Sequence, residues 1–128
     1  MIKELQTELE SISLLQGEYI FDYLLEQGQQ MPSIPEEFKT YKNEVQGCQS
    51  RVWMLAEENN GIWNFAIDSD AYIVKGISKL ISLACNGSTA EEVQSIKFSH
   101  FHIISKFLTT QRQQGLQAMI NRVHSLVS

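Results

Sequence analysis

Ser50-Arg51-Val52-Trp53-Met54-Leu55-Ala56-Glu57, then Glu58-Asn59-Asn60-Gly61, then Ile62-Trp63-Asn64-Phe65-Ala66-Ile67-Asp68 is the stretch that decides the fold. Both flanks are rich in β-branched and aromatic residues. In the second, Trp63, Phe65 and Ile67 alternate with Asn64, Ala66 and Asp68, the period of a half-buried strand. Asn60-Gly61 between them accepts the positive φ angles of a tight turn that matches strand twist. The stretch is expected to be an antiparallel hairpin.

Away from the hairpin the period becomes helical. Upstream, Leu5, Leu9, Ile12, Leu15, Tyr19 and Leu24 predict helix over 3–30, broken near Ser13 or Gly17 and stopped at Gly28. Both prolines fall in Met31-Pro32-Ser33-Ile34-Pro35, an extended loop that continues to Val45-Gln46-Gly47-Cys48. Downstream, Ser69 or Asp70 is placed to cap a long helix with Ile73, Val74, Ile77, Leu80, Ile81 and Ala84 on one stripe. That helix runs to about Cys85 and ends at Asn86-Gly87. Ser88-Thr89-Ala90-Glu91-Glu92 carries capping-box spacing for a short helix. Thr109 or Thr110 opens a final helix with Leu116, Met119, Ile120, Val123 and Leu126 along one side. The expected fold class is α+β: a single domain over 1–128, with a small antiparallel β-sheet packed by several helices.

The chain has 128 residues, 43% of them hydrophobic, and a net charge of −5. That is enough apolar material for one core and too little length for two. The ten Lys and Arg are scattered singly, so no basic stripe exists to displace counterions from phosphate. Nucleic acid and anionic membranes are disfavoured as partners. No apolar run approaches the roughly 18 residues of a membrane span, and the acid-containing N-terminus reads as no export signal, so a cytoplasmic location is expected. Two cysteines and three histidines fit no four-ligand metal spacing, and His100-Phe101-His102 reads as a partly exposed turn.

The chemistry converges on Cys48. It lies on a loop entering a strand, where functional residues are commonly presented. Gly47 beside it opens unusual backbone angles and removes a side chain, so that another protein's loop can approach. Arg51 and Lys42 are expected to supply positive potential that favours the thiolate. The alternative reading, a small buried cysteine at a strand edge, has similar weight on these grounds. Cys85, at the end of an apolar helix stripe and without a nearby cation, reads as structural. No general base with an orienting third group accompanies Cys48 and no C-x-x-C pair exists, which argues against a hydrolase or an oxidoreductase.

Three blocks carry a family resemblance: V-Q-G-C-Q-S-R-V-W (Val45–Trp53), D-S-D-A-Y-I-V-K-G (Asp68–Gly76) and R-Q-Q-G-L-Q-A-M-I (Arg112–Ile120). In this order and at these intervals they resemble the SufE family of sulfur acceptors. The chain departs from the family pattern at Gly17, where a tryptophan is usual, and at Thr110-Gln111, where Pro-Ser is usual. The resemblance implies a SufE/IscU-like fold and a carrier function rather than a stand-alone enzyme. It implies that Cys48 takes persulfide sulfur from a desulfurase of the SufS or CsdA type and stimulates that enzyme. The pyridoxal phosphate belongs to the desulfurase, so no bound cofactor is expected here beyond the transient persulfide. It further implies hand-off to a Suf-type iron–sulfur scaffold complex, with a CsdE-like branch feeding another sulfur pathway as the alternative. A scaffold role is disfavoured, because only Cys48 is available where about three to four ligands must converge.

By the same resemblance Arg112 falls at the desulfurase interface. Gly47, Arg51, Asp68 and Asp70 are the other expected partner-binding positions, although Asp68-Ser69-Asp70 reads more readily as a helix cap, with Ser69 the cap residue, and both roles are compatible. Cys48 is expected to rest shielded against apolar neighbours such as Trp53 and to swing out when the donor docks, since an exposed persulfide is lost to other thiols.

Overall fold

In the computed structural model, which describes residues 1–128, the hairpin forms around Asn60 (φ 54°) and Gly61 (φ 82°). Both central turn residues are left-handed, as a two-residue connection between twisted strands requires. Strand β1 spans Val52–Asn59 and β2 spans Ile62–Ser69, paired from Asn59↔Ile62 to Val52↔Ser69. The first strand therefore starts and ends two residues later than its β-favouring run. Its expected opening residues are held elsewhere, because the Arg51 N–H donates to the Asp70 carboxylate at 3.1 Å. Val52, Met54, Phe65 and Ile67 turn one sheet face into the core.

Helix α3 (Tyr72–Cys85) runs through the centre of the molecule, with Val74, Ile77, Leu80, Ile81 and Ala84 buried. The sheet, α1 (Ile2–Ser13), α2 (Gly17–Gln30) and α6 (Thr110–Val127) all pack on it. Between α3 and α6 come α4 (Ala90–Gln94) and α5 (His102–Ser105). The caps of the later helices follow the sequence. Thr89 and Glu92 bond reciprocally to each other's N–H (2.9 and 3.2 Å), and Thr109 Oγ1 accepts the Arg112 N–H at 3.2 Å.

Two expectations need correction. Gly28 does not stop α2, which continues to Gln30. A Cβ on Gly28 would overlap the Tyr72 carbonyl oxygen, so this glycine serves a close helix crossing instead. The helix ends where the residue before Pro32, Met31, is forced to an extended ψ of 140°. Neither Ser69 nor Asp70 caps α3: Ala71 holds the N-cap position, and no side chain caps it. Ser69 is still strand there, and its hydroxyl donates across the hairpin to Arg51 O at 2.7 Å. No helix of the chain is long and apolar enough to cross a membrane.

Candidate functional site

The cysteine loop is held at both ends and loose between them. On one side Val45 N–H donates to Val52 O at 2.7 Å. On the other, the backbone of Arg51 is clamped by the end of β2. Its N–H donates to Asp70 Oδ1, while its carbonyl accepts from Ser69 Oγ (2.7 Å) and Asp70 N–H (3.2 Å). No backbone hydrogen bond joins residues 46–50 to α3 or α6. Gly47 takes φ +92°, and a Cβ there would press on the Ala118 side chain at 3.3 Å. Only glycine holds that angle without strain, and the bend turns Cys48 inward against α6.

Cys48 is half-buried, and its Sγ–H donates to Gly115 O at 3.5 Å. Beside it lies a cavity of about 180 Å³. Val74 and Ile77 of α3 and Gly115 and Met119 of α6 form its apolar wall, and Thr109 and Arg112 stand on its polar side. Burial pushes the Cys48 thiol up to about 11, and donation to a carbonyl further favours the protonated form. Cys85 is fully buried, and burial pushes its thiol up to about 12. The two cysteines thus differ in access rather than in acidity.

The expected electrostatic activation of Cys48 is not present. Arg51 turns away from the sulfur into a two-pronged pair with Glu44 (Nη2–Oε1 3.0 Å, Nε–Oε2 3.3 Å) and lies over the Trp53 ring at 5.0 Å. Lys42 has an exposed side chain, and only its carbonyl is engaged, by Arg122. The expected shield is also different. Trp53 does not line the cavity; it is covered by Lys39 and Arg51.

Asp68 is the clearest correction among the expected partner contacts. It is 1% exposed, and its carboxylate accepts the Ile34 and Ser69 N–H groups while pairing with Lys75 at 3.2 Å and Lys39 at 3.4 Å. Its geometry makes it an internal tie between the proline loop, β2 and α3, not a surface contact. Asp70 is exposed and clamps the loop base. Arg112 borders the cavity and pairs with no carboxylate of its own chain. Its guanidinium is available to an incoming group.

The family model "SufE: Fe-S metabolism associated domain" matches residues 6–127. The chain belongs to the SufE family. Membership gives it a sulfur-transfer role linked to iron–sulfur metabolism. An uncharacterized SufE-like protein of Rhizobium etli is 34% identical over 112 residues, covering 80% of this chain and 74% of that protein. The solution structure of a hypothetical protein from Thermus thermophilus superposes with a TM-score of 0.79, covering 97% of this chain and 93% of that one, at 23% identity. At that identity it shows the shared fold only.

Val74, Ile77 and Met119 read in sequence as core positions, and Gly115 only as part of the Arg112–Ile120 block. A glycine inside the final helix stripe, where it costs about 1 kcal/mol relative to alanine, was the available signal.

The thiol's environment has a kinetic consequence. At neutral pH the folded protein is expected to react with iodoacetamide at Cys48 roughly 100-fold more slowly than the urea-unfolded chain, because the thiolate is the nucleophile. The rate should climb about tenfold per pH unit and level off only near 11. Timed alkylation read by intact mass from pH 7 to 11 checks this, and a plateau at pH 8–9 would contradict a buried, protonated thiol.

Proposed function

We propose that this protein is a sulfur carrier in which Cys48 accepts the terminal sulfur of a persulfide on a pyridoxal-phosphate-dependent cysteine desulfurase. The acceptor then passes that sulfur to an iron–sulfur assembly scaffold. The observation that carries the reading is the half-buried Cys48 thiol on a short loop whose backbone is tied only at its ends, beside a cavity with room for an added atom.

The chemistry is one displacement. The Cys48 thiolate attacks the outer sulfur of the donor R–S–SH, a new Cys48 S–S bond forms, the donor's S–S bond breaks, and R–S⁻ leaves. No net oxidation occurs. The Cys48 proton leaves as the loop swings away from the Gly115 carbonyl, and the departing thiolate is a fitting acceptor for it. Attack depends on thiolate fraction, nucleophilicity and access together. At rest the first and last are both low, so the thiol is inert until a docked donor draws the loop out. A carrier gains from this, because neither thiol nor persulfide is open to stray oxidants.

The deciding experiment mixes the protein with a cysteine desulfurase of the SufS or CsdA type and free cysteine, followed by intact mass and peptide mapping. The expected result is a gain of one sulfur atom on Cys48, absent in Cys48→Ser and retained in Cys85→Ser. Equal loading of the wild type and Cys48→Ser would sink the proposal.

A further inference from the structure

Gly115 is unlike Gly28 and Gly76, the other two glycines buried within helices. At Gly28 and Gly76 a Cβ would overlap main-chain atoms of the facing helix, so packing of the resting fold accounts for them. At Gly115 a Cβ would meet only Cys48 Sγ at 3.6 Å and Cys48 Cβ at 3.9 Å. Those are ordinary van der Waals distances. The φ of Gly115 is not in the left-handed region either. Alanine therefore fits the thiol form without strain, and it is the better helix former. Nothing in the resting molecule requires a glycine there.

The loaded form does. A persulfide places a second sulfur about 2.05 Å from Sγ. It cannot lie along the present S–H···O line, because the Gly115 carbonyl oxygen is only 3.5 Å from Sγ. It turns aside into the cavity that Cys48 and Gly115 line together with Val74, Ile77 and Met119, and the bare Cα of Gly115 is lining close to the sulfur, since a Cβ there would stand 3.6 Å from Sγ. With a methyl group on Gly115, a sulfur turned that way would approach within about 2 Å of it, where about 3.5–4 Å is needed.

We propose that Gly115 is a positioning residue for the carrier reaction: its missing side chain reserves the space in which the outer sulfur of the Cys48 persulfide is stored. The inference rests on the carrier reading and adds a determinant of persulfide lifetime. In Gly115→Ala the thiol form keeps its pocket, but the second sulfur is displaced from it. The loaded loop then stays outward, where a small thiol R–S⁻ attacks the Cys48-bound S–SH, takes the outer sulfur as R–S–SH and releases the Cys48 thiolate.

The test loads wild type and Gly115→Ala with inorganic polysulfide, whose S–S bond is broken by the Cys48 thiolate with a shorter polysulfide anion leaving, and in parallel with a desulfurase and cysteine. Persulfide decay in excess glutathione is followed by intact mass, with the Tm and iodoacetamide rate of the unloaded proteins measured alongside. The expected result is an unchanged or higher Tm, an iodoacetamide rate within about threefold of wild type, and at least tenfold faster persulfide decay, because access governs exchange. Equal decay rates in the two loaded proteins overturn the proposal, as does a parallel rise in iodoacetamide rate, which would mean the methyl group opens the resting loop. Failure of wild-type Cys48 to gain sulfur from either donor overturns the carrier reading and the proposal with it. Loading by polysulfide but not by desulfurase removes the donor assignment alone, and the decay comparison still decides the role of Gly115.

Discussion

Gly76→Ala is expected to lower the melting temperature by roughly 10 °C, on the basis of about 3–5 °C per kcal/mol for a domain of this size. Helices α2 and α3 cross at Gly28 and Gly76 with their backbones touching. A Cβ on Gly76 would overlap the Leu24 carbonyl oxygen and stand 2.7 Å from its carbon and 2.9 Å from its Cα. These are main-chain atoms inside a helix, so no rotamer change relieves the contact and the helices must separate. Overpacking of this kind costs about 1–3 kcal/mol or more, and a clash with backbone belongs at the upper end. Alanine returns only about 1 kcal/mol through helix propensity. Gly28→Ala should behave alike, with a new Cβ overlapping the Tyr72 carbonyl oxygen and 3.1 Å from Gly76 N. The double variant should lose less than the sum, because once one methyl group has spread the crossing the second meets less resistance. Thermal and urea unfolding of the three variants check this, and Tm values within about 2 °C of wild type, less than 1 kcal/mol, would exclude so close a crossing. The effect reaches the functional site, because α3 also carries Val74 and Ile77 on the cavity wall.

The same glycines show what the sequence disclosed and what it withheld. The hairpin was legible because strand alternation and the Asn60-Gly61 turn are local signals, and so were the Thr89 and Thr109 caps. Gly28 near the end of a helical pattern looks like a terminator, and its real partner is Tyr72 of another helix, 44 positions on. The start of β1 lies two residues past the start of its β-favouring run for a similar reason: a carboxylate 19 positions away takes the Arg51 N–H. The reactive cysteine was readable from Gly47 and its neighbours, but its surroundings were not. Arg51 lies three residues from Cys48, yet its charge is engaged by Glu44. The groups that do set the thiol's acidity and access come from α3 and α6, up to 71 positions away. Local chemistry predicts which residue reacts; tertiary packing decides when it can.

Lys75→Met is the second variant with a large expected effect, a loss of about 3 kcal/mol, at the lower end of the range for breaking a buried ion pair. Lys75 and Asp68 are 5% and 1% exposed, and their charged groups lie 3.2 Å apart. Lys75 also donates to Met31 O and Ser33 Oγ, so the pair fastens the proline loop to β2 and α3. Lys39 at 3.4 Å from Asp68 leaves partial compensation in the variant, which sets the cost at the low end. Burial alone would raise the Asp68 carboxyl; the Ile34 and Ser69 N–H groups and Lys75 outweigh it and hold the carboxyl below its usual value. A depressed carboxyl contributes stability that is present above the unfolded value of about 3.9 and is lost as pH falls through the lower native one. Without Lys75 the depression shrinks, so the acid loss of stability should begin at the same pH, near the unfolded carboxyl value, but be smaller in the variant than in wild type and complete at a higher pH. Urea unfolding from pH 7 to 3 measures both quantities. The cause is isolated by Asp68→Asn combined with Lys75→Met. Removing both charges leaves no uncompensated ion, while the Asn amide can accept only one of the Ile34 and Ser69 N–H groups, so the double variant should lose less than the sum of the two single losses. If the two losses simply add, the cost lies in the packing of the Lys75 side chain and not in the charge stranded beside it.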